Sequence, residues 1–284
     1  MNLAGPTLVS IEKDKRRKLS PLFQEYQWNY IPDAILDGYI GEAYVDDENN
    51  PHIAVLEIPN LRLKLLGGDS SHPLARKYIE TMPTRSALIF GSQGWEDLVK
   101  ECHHGRLVSL PRYAFPSEKL DLDHLIELKS RLPIRYRLAQ LDLKVAQRLA
   151  DEDSELTADH FRCFNSIEEF NDRGFGFCIF EGDEIVCLAT TFLICDKGIE
   201  VQIDTHKRHR GKGLATVAAA QILIHSLQNN LDPNWDAATK ISAGLAKKLG
   251  YTPQGEYSIV FVVKSRMKAV IAGVILKLNE LLNK

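Results

Sequence analysis

Residues 199–227 read IEVQIDTHKRHRGKGLATVAAAQILIHSL, and this stretch decides how the rest of the chain is read. An alternating segment, 199–205, predicts a strand. A basic glycine turn follows, Arg210-Gly211-Lys212-Gly213-Leu214-Ala215, and then a run of strong helix formers predicts a helix over 213–228. Glycines on either side of Lys212 remove Cβ obstruction where a chain enters a helix. The first N–H groups of that helix have no intrahelical acceptor, and its dipole favours negative charge there. Such a turn is suited to holding a phosphate group, and the neighbouring Arg and Lys side chains strengthen the field.

Composition limits the function classes. The chain has 284 residues, 44% hydrophobic and 26% charged, enough apolar residues to bury one large core or two ordinary ones. The net charge of −3 gives no global drive toward nucleic acid. The basic run 206–212 is short and carries no interleaved aromatics, so a nucleic-acid partner is not expected. The N-terminus has no continuous apolar segment of the signal-peptide kind, and no run reaches membrane-helix length. No membrane association is expected. Five cysteines, an odd number with no CxxC pair, fit a reduced, cytoplasmic protein. Cys102-His103-His104 is not expected to bind metal, because adjacent residues rarely converge on one ion.

Working outward, the basic run Lys13–Lys18 reads as a solvated helix face. Segments 53–58 and 61–66 flank Pro59-Asn60 and predict a hairpin. A helix is expected over 74–80, a buried strand over 87–90, a helix over 95–103, a strand over 106–115 and a helix over 120–131. This N-terminal α+β half, 1–133, contains no glycine-basic turn leading into a long helix. Pro133 marks the expected boundary. The second half, 134–264, predicts strands at 134–141, 176–181, 184–193, 199–205, 233–236 and 257–263. Helices are expected at 141–149, 167–172, 213–228 and 240–249, and Gly250 supplies a C-cap after Lys247-Lys248-Leu249. An amphipathic helix over 265–284 ends the chain.

The order of these elements resembles the GNAT superfamily of acyl-CoA-dependent N-acyltransferases. The carrying motif is [QR]-x-x-G-x-[GA], matched by Arg210, Gly213 and Ala215; Arg208, Gly211 and Gly213 fit it in a second frame. Glu200-Val201-Gln202-Ile203-Asp204-Thr205, Pro233-x-Trp235-Asp236-Ala237-Ala238 and Ser242-x-x-Leu245-Ala246-x-Lys248-Leu249-Gly250-Tyr251 resemble a bacterial subgroup known simply as GNAT acetyltransferases. The resemblance covers roughly 134–263 well and implies an α/β (α+β) fold with a mixed, splayed central sheet. Residues 1–133 resemble the degenerate N-terminal half of that subgroup.

The resemblance implies acetyl-CoA, or another acyl-CoA, as co-substrate and an amine on a small molecule or peptide as acceptor. The diphosphate would rest on the backbone of Arg210, Gly211, Lys212, Gly213, Leu214 and Ala215. The pantetheine arm would run along Ile203, Asp204 and Thr205. No metal is implied, and the chain is expected to act as a monomer or homodimer. Acylation needs a base to free the amine. Glu200 is the candidate, on the same strand face as Gln202 and Asp204. His206 and His209 are expected to face solvent among their cationic neighbours. Ala246 stands where many family members have the Tyr that protonates the leaving thiolate, and Thr239 stands where an Asn is frequent, so Ser242 is the remaining hydroxyl candidate. Tyr251 is expected in the core. So are Trp28, Tyr30, Trp95 and Tyr113, in preference to an acceptor pocket. The absence of a Tyr at 246 motivates the rival reading, a catalytically silent acyl-CoA sensor.

Overall fold

The computed structural model describes residues 8–151, 156–157 and 159–272. In chain order the elements are β1 (Val9–Ser10), a 3₁₀ segment (Lys13–Phe23), α1 (Ile31–Leu36), β2 (Glu42–Val45), β3 (Ile53–Ile58), β4 (Leu63–Gly68), α2 (Pro73–Glu80), β5 (Ala87–Phe90), α3 (Gln93–Cys102) and β6 (Leu107–Phe115). There follow α4 (Leu122–Ser130), β7 (Tyr136–Gln140), α5 (Leu143–Asp151), α6 (Ile167–Arg173), β8 (Gly176–Glu181), β9 (Glu184–Ile194), β10 (Gly198–Thr205), α7 (Leu214–Gln228), β11 (Asp232–Ala237), α8 (Lys240–Leu249) and β12 (Gly255–Val262). The expected C-terminal helix is described only over 266–272, and its remainder lies outside the described residues. Among the described residues no helix is long and apolar enough to cross a membrane.

By contacts the chain forms two compact units. One comprises Met1–Gln27, Ile35–Pro111 and Ser258–Lys284; the other comprises Trp28–Ala34 and Arg112–Tyr257. Their strand topologies correspond. The first unit has the order β1-β2-β3-β4-β5-β12 and the second, read from its far edge, β7-β8-β9-β10-β11-β6. In both, three antiparallel pairings lead to one parallel pair, β4 with β5 and β10 with β11. The fifth strand then pairs antiparallel with a strand from the other half of the sequence: β12 beside β5 and β6 beside β11. The fold is therefore mixed α/β throughout.

In the first unit α2 and α3 cover one sheet face through Ala75, Ile79, Trp95, Leu98 and Val99, packed on Ile53, Val55, Leu66 and Leu88. The expected hairpin at Pro59-Asn60 forms, but a 3₁₀ turn over Pro59–Leu61 and a left-handed Arg62 (φ 53°) delay the second strand to Leu63. The reading of Lys13–Lys18 as a solvated face needs correction at Arg16. That residue is 4% exposed, and its Nη1 donates to the carbonyls of Ile35, Ile40 and Gly41 at 3.3, 3.4 and 3.1 Å. Buried carbonyls need donors, and one guanidinium supplies several.

The second unit is built around α7. Thr216, Val217, Ala218, Ala219, Ala220, Ile222, Leu223 and Ile224 are all buried, so the helix is apolar on nearly every side. A helix of that kind belongs inside the fold. It packs between the sheet and α4, and its alanines permit close approach to β8, β9 and β10. The opposite sheet face is covered by α5 and α6 through Ala146, Leu149 and Phe170, with Phe164 from the segment before α6. Cys163, Cys178, Cys187 and Cys195 are buried; burial pushes the Cys163 and Cys187 thiols up to about 12, which leaves them unreactive.

Candidate active site

The parallel pair at the centre of the second unit separates part-way along. Gly198, Ile199 and Glu200 pair with Asp232, Pro233 and Asn234, and there the ladder between β10 and β11 stops. Beyond it, Val201–Thr205 continues pairing with β9 on one side, while Trp235–Ala237 pairs with β6. The register of β9 against β10 shifts between Glu200 and Val201, a bulge that re-aims the strand at the point of separation. Ile203, Asp204 and Thr205 thus lie on a strand whose β11-side edge is open. The corresponding pair in the first unit stays joined through Leu63–Leu66 with Ala87–Phe90. Asp69, not a cation, follows that strand.

The open edge leads into the basic turn. His206 N–H bonds to the Val186 carbonyl at 2.9 Å, and a short 3₁₀ turn, Lys207–His209, follows. His209 is 6% exposed, contrary to its expected solvent-facing position, and His206 is half-buried. The Tyr136 hydroxyl is 3.3 Å from His209 Nδ1, and Glu181 Oε2 is 3.8 Å from Nε2. Two strands thereby pin the start of the turn. Arg210 Nε donates to the Thr205 carbonyl at 3.1 Å.

Gly211 and Gly213 adopt φ of +76° and +81°, and a Cβ built at either would meet nothing within 4 Å. Glycine is needed there for backbone conformation, and the space in front of it is open. The consecutive backbone N–H groups of Gly211, Lys212, Gly213, Leu214 and Ala215 make no hydrogen bond among the described residues. Lys212 is exposed between the glycines, and Lys207, Arg208 and Arg210 precede it, also exposed. Unpaired donors at a helix N-terminus, ringed by cations, fit a diphosphate. A cavity of about 420 Å³ lies beside this turn, lined by Arg148, Asp204, Thr205, His206, Lys207 and Arg210 among others.

At the point of separation stands Glu200, 5% exposed. Its Oε1 accepts from Tyr30 N–H at 2.8 Å and Asn234 Nδ2 at 2.7 Å, so Oε2 keeps its lone pairs. Burial, with the charge of nearby Asp236, pushes the Glu200 carboxyl up to about 8. Asp236 is itself held by Arg112, whose Nη2 lies 2.7 Å from Oδ2, and by the Tyr257 hydroxyl at 2.8 Å. Trp28 stacks on Tyr257 at 6.1 Å between ring centroids, and Tyr30 donates its hydroxyl to Asp232. Trp28 and Tyr30 are therefore more than core filling, whereas Trp95 is buried core with its Nε1 on the Gly68 carbonyl.

Four residues along the same strand face, Asp204 is 3.3 Å from Nε2 of His160, a fully buried imidazole whose Nδ1 is 2.7 Å from Thr190 Oγ1. The approach to Asp204 is electrostatic rather than a well-aligned hydrogen bond. Gln202 Nε2 donates to the same carboxylate oxygen, Oδ2, at 2.7 Å. Ser242 lies apart from Glu200. Its hydroxyl accepts from Trp235 Nε1 at 3.2 Å, and its own N–H donates to Thr239 Oγ1, which caps α8. Trp235 and Asn234 are consecutive on β11 and point to opposite faces, so Ser242 and Glu200 belong to opposite sides of the strand. Ala246 is fully buried, and Tyr251 is core, donating its hydroxyl to the Pro233 carbonyl at 2.6 Å.

The sequence pointed to Glu200 and the turn as candidates, and the structure places them at the strand separation and at the start of α7. Sequence reasoning missed Tyr30, Arg112, Asn234, Tyr257 and His160, whose roles depend on contacts between distant parts of the chain. Only Asn234 carried a local signal, as a polar residue beside the Trp235-Asp236 motif.

Residues 20–260 match the family described as GNAT acetyltransferase. A Bacillus subtilis (strain 168) protein described as the uncharacterized N-acetyltransferase YdfB is 24% identical over 264 residues, covering 89% of this chain and 98% of its own. The crystal structure of a GCN5-related N-acetyltransferase-like protein from Streptococcus suis 89/1591 is 29% identical, with a TM-score of 0.74 over 88% of this chain and 98% of its own. A tandem GNAT protein from the clavulanic acid biosynthesis pathway is 12% identical with a TM-score of 0.59 over 90% and 97% of the two chains, a likeness of fold.

Proposed function

The chain belongs to the GNAT acetyltransferase family, and from that premise we propose that it moves an acetyl group, or another acyl group, from acyl-CoA to an amine by direct attack in a ternary complex. The observation that carries this reading is the separation of β10 from β11 at Glu200 and Asn234, continuing into a glycine turn of unpaired N–H groups. Acyl-CoA supplies the activated acyl group as a thioester. The backbone of Arg210–Ala215 binds the diphosphate, and Ile203, Asp204 and Thr205 offer an open strand edge to the pantetheine arm. In this reading the acyl-CoA site belongs to 134–264, Tyr30 and Arg112 hold Glu200 and Asp236 from earlier in the chain, and 1–133 carries no acyl-CoA site of its own.

Glu200 is assigned as the base. A carboxylate raised toward the ammonium range accepts a proton from a protonated amine at lower energetic cost than an ordinary one. Tyr30 N–H and Asn234 fix Oε1 and leave Oε2 for that proton. Ser242, on the α8 side of β11, is the hydroxyl candidate for the leaving thiolate, and a thiolate leaves acceptably near neutral pH without an acid.

Thiol release from acetyl-CoA across a panel of amino sugars, polyamines, amino acids and peptide N-termini tests the assignment. Saturable release with at least one class is expected. Glu200→Gln should lower kcat by about 10²–10⁴-fold while leaving acetyl-CoA affinity intact. Tight acetyl-CoA binding without release for any amine would refute the enzyme reading.

A further inference from the structure

We propose that the cavity beneath α2 in the first unit is a second small-molecule site, built for a monocarboxylate with a flat or branched apolar body. The proposal is independent of acyl transfer, because its residues belong to β2, β3, β4 and α2 and the segment after α2.

The floor of this cavity of about 380 Å³ is a charged pair on the β3–β4 hairpin. Glu57 and Lys64 are directly opposite in register and form an ion pair on the face under α2. The Lys64 side chain is 7% exposed, and Glu57 is its only polar side-chain contact among the described residues. An ammonium has three donors. A buried one with a single partner holds unused N–H groups, and buried donors are seldom left unmet. Tyr78, on α2, also lines the cavity, and its hydroxyl makes no hydrogen bond among the described residues. Burial raises its pKa further, so it remains a donor. Two residues with donor groups, Lys64 and Tyr78, thus line one space whose walls include Tyr44, Leu74 and Met82.

Charge selects the ligand class. Of the charged residues that line the cavity, Lys64 and the exposed Lys77 are cationic and Glu57 anionic, one net positive charge (2 − 1), while Glu42, opposite Glu57 in register, is engaged by the Tyr44 hydroxyl. A monoanion balances that charge. Inorganic phosphate would meet the donors but leave the aromatic and aliphatic walls uncovered, whereas an aryl or branched aliphatic acid satisfies both. The volume lies in the range of small-molecule pockets, about 300–1,000 Å³.

The test is calorimetric titration of the full chain with phenylacetate, indole-3-acetate and 4-methylpentanoate, each compared with its uncharged primary amide. Saturable binding of at least one acid is expected, about tenfold tighter than its amide. Tyr78→Phe should weaken that binding about threefold, and Lys64→Met should abolish it. Saturating acetyl-CoA should leave it unchanged. Should Lys64→Met not fold, Tyr78→Phe and the amide comparison decide. Failure of all three acids to bind, equal binding of acid and amide, wild-type affinity in Tyr78→Phe, or competition by acetyl-CoA would each overturn the proposal.

Discussion

Replacing Gly213 by alanine separates a backbone cost from a binding cost. Gly213 holds φ +81° as the residue entering α7, and a Cβ there would meet nothing within 4 Å. The folding penalty is therefore that of a left-handed alanine, about 1–2 kcal/mol, without a steric term. In a chain of this size class that lowers Tm by about 2–4 °C for each kcal/mol. Gly250, the C-cap of α8 at φ +105°, is the control: a Cβ there would make only ordinary contacts at 3.8 and 3.9 Å, and it lies at the far end of the helix from Ser242. Binding should divide the two. A methyl group at Gly213 occupies the space where an anion approaches the N–H groups of Gly211–Ala215, and each charge-assisted bond lost costs about 1.5–3 kcal/mol. One such loss weakens acetyl-CoA about 10- to 150-fold. Calorimetry with acetyl-CoA and thermal unfolding without ligand provide the two readouts. Comparable Tm losses with weakened binding only in Gly213→Ala are expected. Acetyl-CoA affinity as strong in Gly213→Ala as in Gly250→Ala would refute the assignment of the turn.

Other outcomes follow from single groups. Because Glu200 must lose its proton to act as a base, kcat should rise with pH toward about 8; a pH-independent kcat between 6 and 9 would remove it from that role. The same group affects stability in the opposite direction. Its folded pKa lies above the ordinary value of 4.5, so between about 4.5 and about 8 the native state binds more protons than the unfolded chain, and stability falls as pH rises through that window. Glu200→Gln should flatten this dependence, and an unchanged Tm-versus-pH slope would contradict it. His160→Phe leaves Thr190 and Asp204 without their buried partner and should cost about 1–3 kcal/mol, read as a lower Tm; wild-type stability would show that the imidazole holds nothing. Arg16→Met should cost about 2 kcal/mol or more, since three carbonyls lose a donor, and a denaturant midpoint within error of wild type would contradict that.

What local pattern governs was readable in the sequence. The strand Ala87–Phe90, the hairpin strand Gly176–Glu181 and the helix Lys240–Leu249 lie where alternation, Gly182 and Gly250 put them. The glycine turn was legible for the same reason: its conformation is local. Around Pro59 the pattern was right and the start of the next strand was not, because Arg62 turns left-handed before β4 begins. Contacts between remote segments could not be read. Arg16 looks like one charge in a basic run until the carbonyls of Ile35, Ile40 and Gly41 surround it. His209 looks solvated until Tyr136 and Glu181 close over it. The Glu200 environment depends on Tyr30, 170 positions earlier, and no periodicity encodes that pairing. The correspondence of the two strand orders is equally hidden, since each unit takes its last strand from the opposite half of the sequence.

The central claim is that one continuous feature, the open edge of β10 and the turn after it, holds acyl-CoA with its thioester beside Glu200. A crystal structure with CoA bound tests it most directly. The diphosphate oxygens are expected within hydrogen-bond distance of the backbone N–H groups of Gly211–Ala215, with the sulfur in the gap between β10 and β11 on the Glu200 side. CoA bound elsewhere, or bound at the turn with its sulfur directed away from that gap, would contradict it.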